Sequence, residues 1–247
     1  MMRKWLLRLM PIVPILAGLG TVASSAGVRV QPMSYDLQVS GRGATQDLRV
    51  ENTSATPVPV EIRVERREVL PDGTDRRTPA DDDFIIFPPQ GIVPANGFQT
   101  FRVQYVGDPR IAQTRLYLIT VAQTPVSAAD GQSTGIQLVF NIGTLAAVSP
   151  AGAAARLSVT EVRPATEPNK IAVTVRNDGS RYARLLNGTW TLTSGDGRSE
   201  NLEGEKLRAA LQNSLIEANG SRTVLLPVSE GFRREGARAT FEPTRSN

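Results

Sequence analysis

Residues 84–105 read FIIFPPQGIVPANGFQTFRVQY, which is two apolar runs separated by prolines, glycines and an asparagine. In the second run Phe101, Val103 and Tyr105 alternate with polar residues, the period-two pattern of a half-buried β-strand. Proline and glycine clusters of this kind indicate turns. The stretch therefore predicts short strands joined by turns, and an all-β fold.

The same pattern extends in both directions from this stretch. Short runs rich in Val, Ile, Leu, Thr and Tyr recur between turn residues, and helical periodicity is nearly absent. About seven strands in some 120 residues is the number expected of an immunoglobulin-like β-sandwich. The predicted strands are 28–39, 45–51, 58–69, 84–87, 98–106, 115–124 and 135–148.

A break in the pattern divides the chain. Residues 149–154 read SPAGAA, small residues with a proline that cannot donate to a strand ladder, which is typical of a short interdomain hinge. Strands then resume at 156–162, 170–176, 183–194, 215–217, 222–228 and 237–241, with one or two helical turns at 206–211. We expect a first immunoglobulin-like domain at 27–149, a hinge at 150–155 and a smaller second sandwich at 156–247.

The first 26 residues have the pattern of a secretory signal peptide. Arg3, Lys4 and Arg8 precede an apolar run at 9–22, and small residues follow up to Ala26. The run is about 14 residues long, short of the roughly 20 that a membrane-spanning helix needs. We therefore expect cleavage after Ala26, export to the periplasm and a mature chain that is not inserted in a membrane, with an uncleaved anchor as the alternative.

Composition excludes several functions. Cleavage would leave 25 basic and 24 acidic residues, so no overall charge favours nucleic acid. The chain has no Cys and no His, which excludes disulfides, thiolate metal sites and the Ser-His-Asp arrangement. The polar segment 71–83 predicts a loop, and its three consecutive aspartates lack the alternating oxygen ligands of a calcium loop. No metal site is predicted.

The stretch that opens at residue 84 resembles PapD-like periplasmic chaperones, which assemble pili by the chaperone/usher pathway. An apolar strand ends in two prolines, and a further proline, a glycine turn and a strand with an arginine follow. Two strands that end on an asparagine turn extend the resemblance over most of the mature chain. The residues that carry it are Asn52, Pro88, Pro89, Pro94, Arg102 and Asn177.

The resemblance implies a chaperone without a cofactor. Such a protein would bind a secreted pilus or fimbrial subunit, which lacks one strand, by donating a strand of its own, and would deliver the subunit to an outer-membrane usher. The implied donor is segment 135–148, in which Ile136, Leu138, Phe140 and Ile142 form one apolar face. We expect Val139, on the opposite face, to pack in the chaperone's own core. By periodicity alone the run is more typical of a core strand that is buried on both faces, and the resemblance favours the donor strand.

One family feature has no match in this chain. The resemblance implies an Arg on the first strand and a Lys on the donor strand that hold the subunit's C-terminal carboxylate, but the matching positions carry Asp36 and Leu145. The chain is in this respect more similar to the divergent, archaic branch of the family. Arg115 is our candidate anchor by charge and position, and a solvent-exposed arginine without a partner is the alternative.

Two other functions remain open at this level. The protein could be a structural or adhesive secreted β-sandwich, although subunits of this pathway are usually single incomplete domains. A carboxylate-dependent glycan hydrolase would need two carboxylates facing each other across a cleft, and the sequence singles out no such pair. We therefore predict that the protein is not an enzyme.

Overall fold

The computed structural model describes residues 27–124, 139–211 and 214–244. The predicted all-β class is confirmed, with two β-sandwiches in chain order. The first contains β1 (Val28–Gln31), β2 (Ser34–Gln38), β3 (Thr45–Asn52), β4 (Val58–Val69), β5 (Asp75–Pro79), β6 (Phe84–Phe87), β7 (Gln90–Val93), β8 (Gly97–Tyr105), β9 (Arg115–Gln123) and β10 (Asn141–Ser149), with short 3-10 helices at Arg42–Ala44 and Asp81–Asp83.

Two sheets face each other in this first sandwich. One has the strand order β1-β3-β8-β6, and the other has the order β2-β10-β9-β4-β5 with β7 also paired to β4. Alternate residues of the facing strands are buried, as the period-two pattern predicted. The core is made by Leu48, Val50, Phe101, Val103, Ile119, Val121, Ala146 and Val148, among others.

The second sandwich is smaller and its sheets are shorter. Its elements are β11 (Leu157–Pro164), β12 (Lys170–Asn177), β13 (Ala183–Arg184), β14 (Gly188–Thr193), β15 (Ser199–Leu202), α1 (Gly204–Ala210), β16 (Leu215–Ile216), β17 (Ser221–Pro227) and β18 (Arg238–Pro243). They form three sheets, β11-β12-β17, β13-β16 and β15-β14-β18. Trp190 is buried at the centre, where its indole N–H donates to the carbonyl of Leu185 at 3.1 Å.

Several predicted strand boundaries were wrong. The segment 28–39 is two strands that belong to different sheets, and Pro32, which has no N–H to donate, lies between them. The segment 183–194 is likewise divided into β13 and β14. The predicted loop 71–83 contains β5, a polar edge strand exposed throughout, and such a strand lacks the apolar alternation by which strands are recognised.

The two sandwiches contact each other beside β10. Leu116, Leu145 and Ala147 of the first form a small apolar cluster with Leu215 of the second. The N–H of Thr114 donates to the carbonyl of Ser180 at 2.9 Å. The N–H of Val69 donates to a carboxylate oxygen of Glu217 at 2.6 Å. The second sandwich therefore covers part of the outer face of the sheet that contains β10.

Candidate functional site

Strand β10 is paired unequally on its two sides. It pairs antiparallel with β9 over nearly its whole length, from Asn141 opposite Ala122 to Val148 opposite Arg115. On the other side it pairs in parallel with β2, but only from Leu145 to Ser149. We call residues 139–144, which are the start of β10 and the two residues before it, the open half, and residues 145–149 the covered half. No strand in the described part of the chain pairs with the open half on the β2 side.

The open half directs backbone groups to this unpaired side. The carbonyl of Phe140 accepts from the N–H of Gln123 on β9 at 3.0 Å, whereas the N–H of Leu145 donates to the carbonyl of Met33 on the β2 side at 2.9 Å. Backbone groups of alternate strand residues point to opposite neighbours. Asn141 and Gly143 therefore direct their N–H and C=O groups to the open edge, where another chain can pair with them.

The side chains of β10 also differ between the halves. Even-numbered residues face the first core, where Thr144, Ala146 and Val148 are fully buried, while Phe140 and Ile142 are only half-buried against it. The reason is that β2 closes the sandwich only from Leu145 onward. Apolar side chains of the open half thus remain partly accessible at the seam, which is the open edge of the first sandwich along residues 139–144.

The expectation that Val139 packs in the core is wrong. Its side chain is 44% exposed, because the odd-numbered residues face away from the first core. The odd face is buried only where the second sandwich covers it, at Leu145 and Ala147. The strand prediction 135–148 is correspondingly shifted, since the strand is observed at Asn141–Ser149. Ile136 and Leu138 lie outside the described residues.

The two turn asparagines, Asn52 and Asn177, are fully buried and make similar sets of side-chain hydrogen bonds. The side-chain amide of Asn52 donates to the carbonyls of Thr56 at 2.8 Å and Pro94 at 3.1 Å, and its oxygen accepts from the N–H of Ser54 at 2.9 Å. Each asparagine uses both its donor and its acceptor to fix a strand end to loops that are distant in sequence.

In the second sandwich, Asn177 does the same at the junction of the two sandwiches. Its amide donates to the carbonyls of Arg181 at 2.8 Å and Glu217 at 2.9 Å, and its oxygen accepts from the N–H of Arg156 at 3.0 Å. Because Arg156 follows the predicted hinge, Asn177 orders the chain that links the two sandwiches.

The other motif residues lie in turns between strands or on the outer face of the first sandwich. Pro88 and Pro89 separate β6 from β7, which belong to different sheets, and the carbonyl of Pro89 accepts from the N–H of Ile62 at 3.0 Å. The carbonyl of Pro94 accepts from Gly97 at 3.2 Å in the following turn. Arg102 lies on the outer face, where its Nε is 2.9 Å from a carboxylate oxygen of Asp47. None of these residues lies on β10.

Arg115 lies at the covered end of the site. It is opposite Val148, seven residues and about 24 Å along the strand from Asn141. Burial by itself lowers the pKa of Arg115, but the neighbouring Tyr117, Tyr105 and Asp83 raise it, and the net shift is upward. The hydroxyl of Tyr117 donates to a carboxylate oxygen of Asp83 at 2.7 Å, and burial is the main reason that the pKa of Tyr117 is raised. Arg115 thus adjoins a polar cluster at one end of the first sandwich.

A second group of charged residues lies where β2 begins to cover β10. A carboxylate oxygen of Asp36 on β2 lies 3.1 Å from the guanidinium Nη2 of Arg181. The hydroxyl of Tyr182 donates to the other oxygen of the same carboxylate at 3.1 Å. Burial, and to a lesser extent Asp36, raise the pKa of Tyr182. The guanidinium of Arg184 lies 5.8 Å from the centre of the Tyr182 ring, and that of Arg181 lies 6.0 Å from it. These side chains line a cleft of about 480 Å³ between the two sandwiches.

The sequence analysis did not identify this cleft. Tyr182 directly precedes β13 of the second sandwich and Arg184 belongs to it, and no local pattern indicates that they face β2 of the first. Leu145, by contrast, is buried against Leu215, so it contributes only apolar contact at this place. The approach of two distant segments creates the cleft, and only the tertiary structure reveals it.

The described ranges contain no helix long and apolar enough to cross a membrane. Within them, no group of three or more Asp, Glu, His or Cys side chains could hold a metal ion.

Solved structures with a similar fold are fimbrial chaperones. The class 5 fimbriae chaperone CfaA has a TM-score of 0.56 at 15% identity, over 87% of this chain and 99% of that one. The E. coli chaperone DraB has a TM-score of 0.53 at 17% identity, over 88% and 90%. A chain of the complex between the Salmonella enterica pilin SafA and its chaperone SafB has a TM-score of 0.51 at 18% identity, over 81% and 84%. No curated protein matches the sequence.

The similarity to these structures concerns the fold, and the family follows from the sequence. Residues 30–153, half of the chain, match the family described as pili and flagellar-assembly chaperones, PapD N-terminal domain. This range includes the whole first sandwich except its first residues, and therefore both halves of β10. The chain belongs to the PapD family of pili and flagellar-assembly chaperones.

Proposed function

We propose that this protein is a pilus-subunit chaperone that binds its client along the open half of β10. Binding would be by strand addition, in which a strand of the client pairs with the exposed backbone groups of the chaperone. The observation that carries the proposal is the unpaired edge of β10 ahead of Leu145, where Asn141 and Gly143 direct their backbone groups outward.

The side chains of the open half support the same proposal. Phe140 and Ile142 are half-buried at the seam, so an arriving strand can bury their remaining apolar surface. Burying a large apolar side chain completely contributes roughly 1.5–3 kcal/mol. Ile136 and Leu138 precede these residues in the same alternating pattern, and we include them among the donor residues. An unfinished subunit gains most from such an edge, because its own unpaired edges would otherwise aggregate.

The family favours this function over a structural or adhesive role. Its members are pilus-assembly chaperones, and similar folds occur in complexes with the pilin SafA and with a fimbrial tip adhesin. We propose further that the chain is exported to the periplasm after removal of residues 1–26, that 27–149 and 156–247 are separate domains, and that an outer-membrane usher receives the client. We propose no catalytic reaction and no cofactor.

The first test is a pull-down of the tagged mature protein from the periplasm of its native organism, followed by mass spectrometry. We expect a small secreted β-rich subunit bound at a one-to-one ratio. A stable protein that remains empty, or that binds glycans instead, would contradict the proposal.

The matched variants Asn141→Pro and Asn141→Ala test the mode of binding. Proline removes the N–H that points to the open edge, whereas alanine keeps it. Because the N–H of Asn141 points away from β9, proline there removes no bond to that strand. We expect Asn141→Pro to retain at least tenfold less subunit than the wild type and Asn141→Ala to retain a normal amount. Equal retention by both variants would exclude main-chain pairing at this position.

A further inference from the structure

Gly143 lies on the unpaired edge of β10, and its backbone conformation does not require a glycine. It is opposite Thr120 of β9 in a regular antiparallel ladder, and its φ lies outside the left-handed region in which glycine is favoured. A glycine inside a strand weakens the strand, and it often marks a place where another group approaches closely. What distinguishes Gly143 is therefore the space that its missing side chain leaves.

That space lies on the outer face of the sheet, and Leu118 of β9 partly fills it. A Cβ atom placed on Gly143 would lie 2.7 Å from Cδ1 of Leu118 and 3.1 Å from its Cγ, closer than such atoms approach. The backbone of Leu118 is paired with Leu145, two residues farther along β10, where the second sandwich covers this face. Leu118 thus extends diagonally over Gly143, and it is only half-buried.

A strand added to the open edge must place one residue beside this space. Its backbone would lie about 4.8 Å from β10, and the residue opposite Gly143 would direct its side chain to the same outer face. That side chain meets no side chain from Gly143 and faces the methyl groups of Leu118 across the glycine. An alanine is too short to reach them, whereas a larger apolar side chain, such as that of leucine, isoleucine or phenylalanine, fills the gap.

We propose that Gly143 and Leu118 form a notch that selects a client with a large apolar residue opposite Gly143. This inference rests on the proposed function and adds a second contact to it, on the other face of the strand. Phe140 and Ile142 direct their side chains to the seam, whereas at the notch the client inserts a side chain of its own. Because a shift by one residue moves every side chain to the opposite face, the notch also determines the register in which the client pairs.

The first experiment fills the notch with Gly143→Val, and the matched control is Thr120→Val. Valine is a favourable strand residue, and the part of Leu118 that it displaces is the end of a flexible side chain. Thr120 lies opposite Gly143 on the same face, one strand farther from the open edge. In the periplasmic pull-down we expect Gly143→Val to retain about tenfold less subunit than the wild type, and Thr120→Val to retain a normal amount.

Equal capture by Gly143→Val and the wild type would overturn the notch and leave the proposed function in place, whereas a wild type that captures no subunit would overturn both. Unfolding in urea verifies that Gly143→Val is folded. If it is destabilised, Leu118→Ala decides, because this variant keeps the glycine and removes the apolar contact. We expect it to retain severalfold less subunit, while Leu225→Ala, at an exposed leucine of the second sandwich, retains a normal amount. Normal capture by Leu118→Ala would exclude the notch.

The second experiment identifies the client residue that enters the notch. In the subunit recovered with the wild type, each large apolar residue of the pairing strand is replaced in turn by alanine, and every variant is titrated against the wild type and Gly143→Val. Residues in contact show coupled effects. We expect one position at which alanine weakens binding to the wild type about tenfold and changes binding to Gly143→Val little. If alanine weakens both complexes alike at every position, no client residue occupies the notch and the inference fails.

Discussion

The two halves of β10 differ although they form one strand with one alternating pattern. In the covered half the edge is paired with β2, the even-numbered side chains are fully buried, and the second sandwich covers Leu145 and Ala147. In the open half the edge is unpaired, Phe140 and Ile142 are only half-buried, and Val139 on the other face is exposed. The covered half therefore contributes mainly to the stability of the fold, and the open half has an unpaired edge to which a partner strand can bind.

The difference in edge pairing arises from the length of β2. β2 contributes five residues, Ser34–Gln38, and these reach only the last five residues of β10. A longer β2 would pair with the open half and close the seam. Substitutions in the two halves can therefore separate stability from binding, provided that the division at Leu145 is correct.

The largest effect is expected in the covered half, from Ala146→Asp. Ala146 is fully buried in the first core, so a carboxylate there would have neither solvent nor space. We expect a loss of more than about 4 kcal/mol in the free energy of unfolding, measured by urea denaturation. An exposed position, Val139→Asp, serves as the control and should change stability by no more than about 0.5 kcal/mol. Similar costs at both positions would invalidate the division into halves.

An intermediate effect is expected in the open half, from Phe140→Ala. Replacing a fully buried phenylalanine by alanine lowers the free energy of unfolding by about 3–5 kcal/mol, but Phe140 is only half-buried. We expect a loss of about 1–2 kcal/mol in unfolding free energy, together with a clear loss of subunit in the pull-down. Val139→Ala, on the exposed face, should affect neither measurement strongly. A cost near that of a fully buried residue, with normal capture, would mean that Phe140 belongs to the core and not to the binding edge.

The smallest effect concerns the contact that holds the second sandwich near the covered half. Burial raises the pKa of Glu217, whose carboxylate accepts the N–H of Val69 and also lies near Glu68, Arg66 and Arg67. With a folded-state pKa above the unfolded one, the stability that protonated Glu217 contributes is fully present below the unfolded pKa and is lost as the pH rises through the folded pKa.

Glu217→Gln keeps an oxygen that can accept the N–H of Val69 but carries no charge. We expect this variant to be slightly more stable than the wild type at pH 7, and the difference to vanish below about pH 4, near the ordinary pKa of a glutamate. Urea denaturation at the two pH values measures this. If the variant is instead less stable at pH 7, the charged hydrogen bond to Val69 outweighs the cost of burial, and the contact between the sandwiches depends on it.

The sequence by itself determined the all-β class and the succession of two sandwiches, because alternating apolar residues and turn-forming residues act over short distances. It also identified Asn52 and Asn177 as strand-ending residues, although not the distant carbonyls to which they bind. Those contacts depend on which loops approach each other.

Only the tertiary structure decided which face of β10 is buried and where its edge is open. The apolar residues around Val139 alternate in the same way whichever side is covered, so the pattern could not assign the core side. The extent of β2 and the approach of Arg181 to Asp36 result from pairings between residues far apart in sequence. Such contacts cannot be predicted from local sequence patterns. They nevertheless determine where a partner can bind.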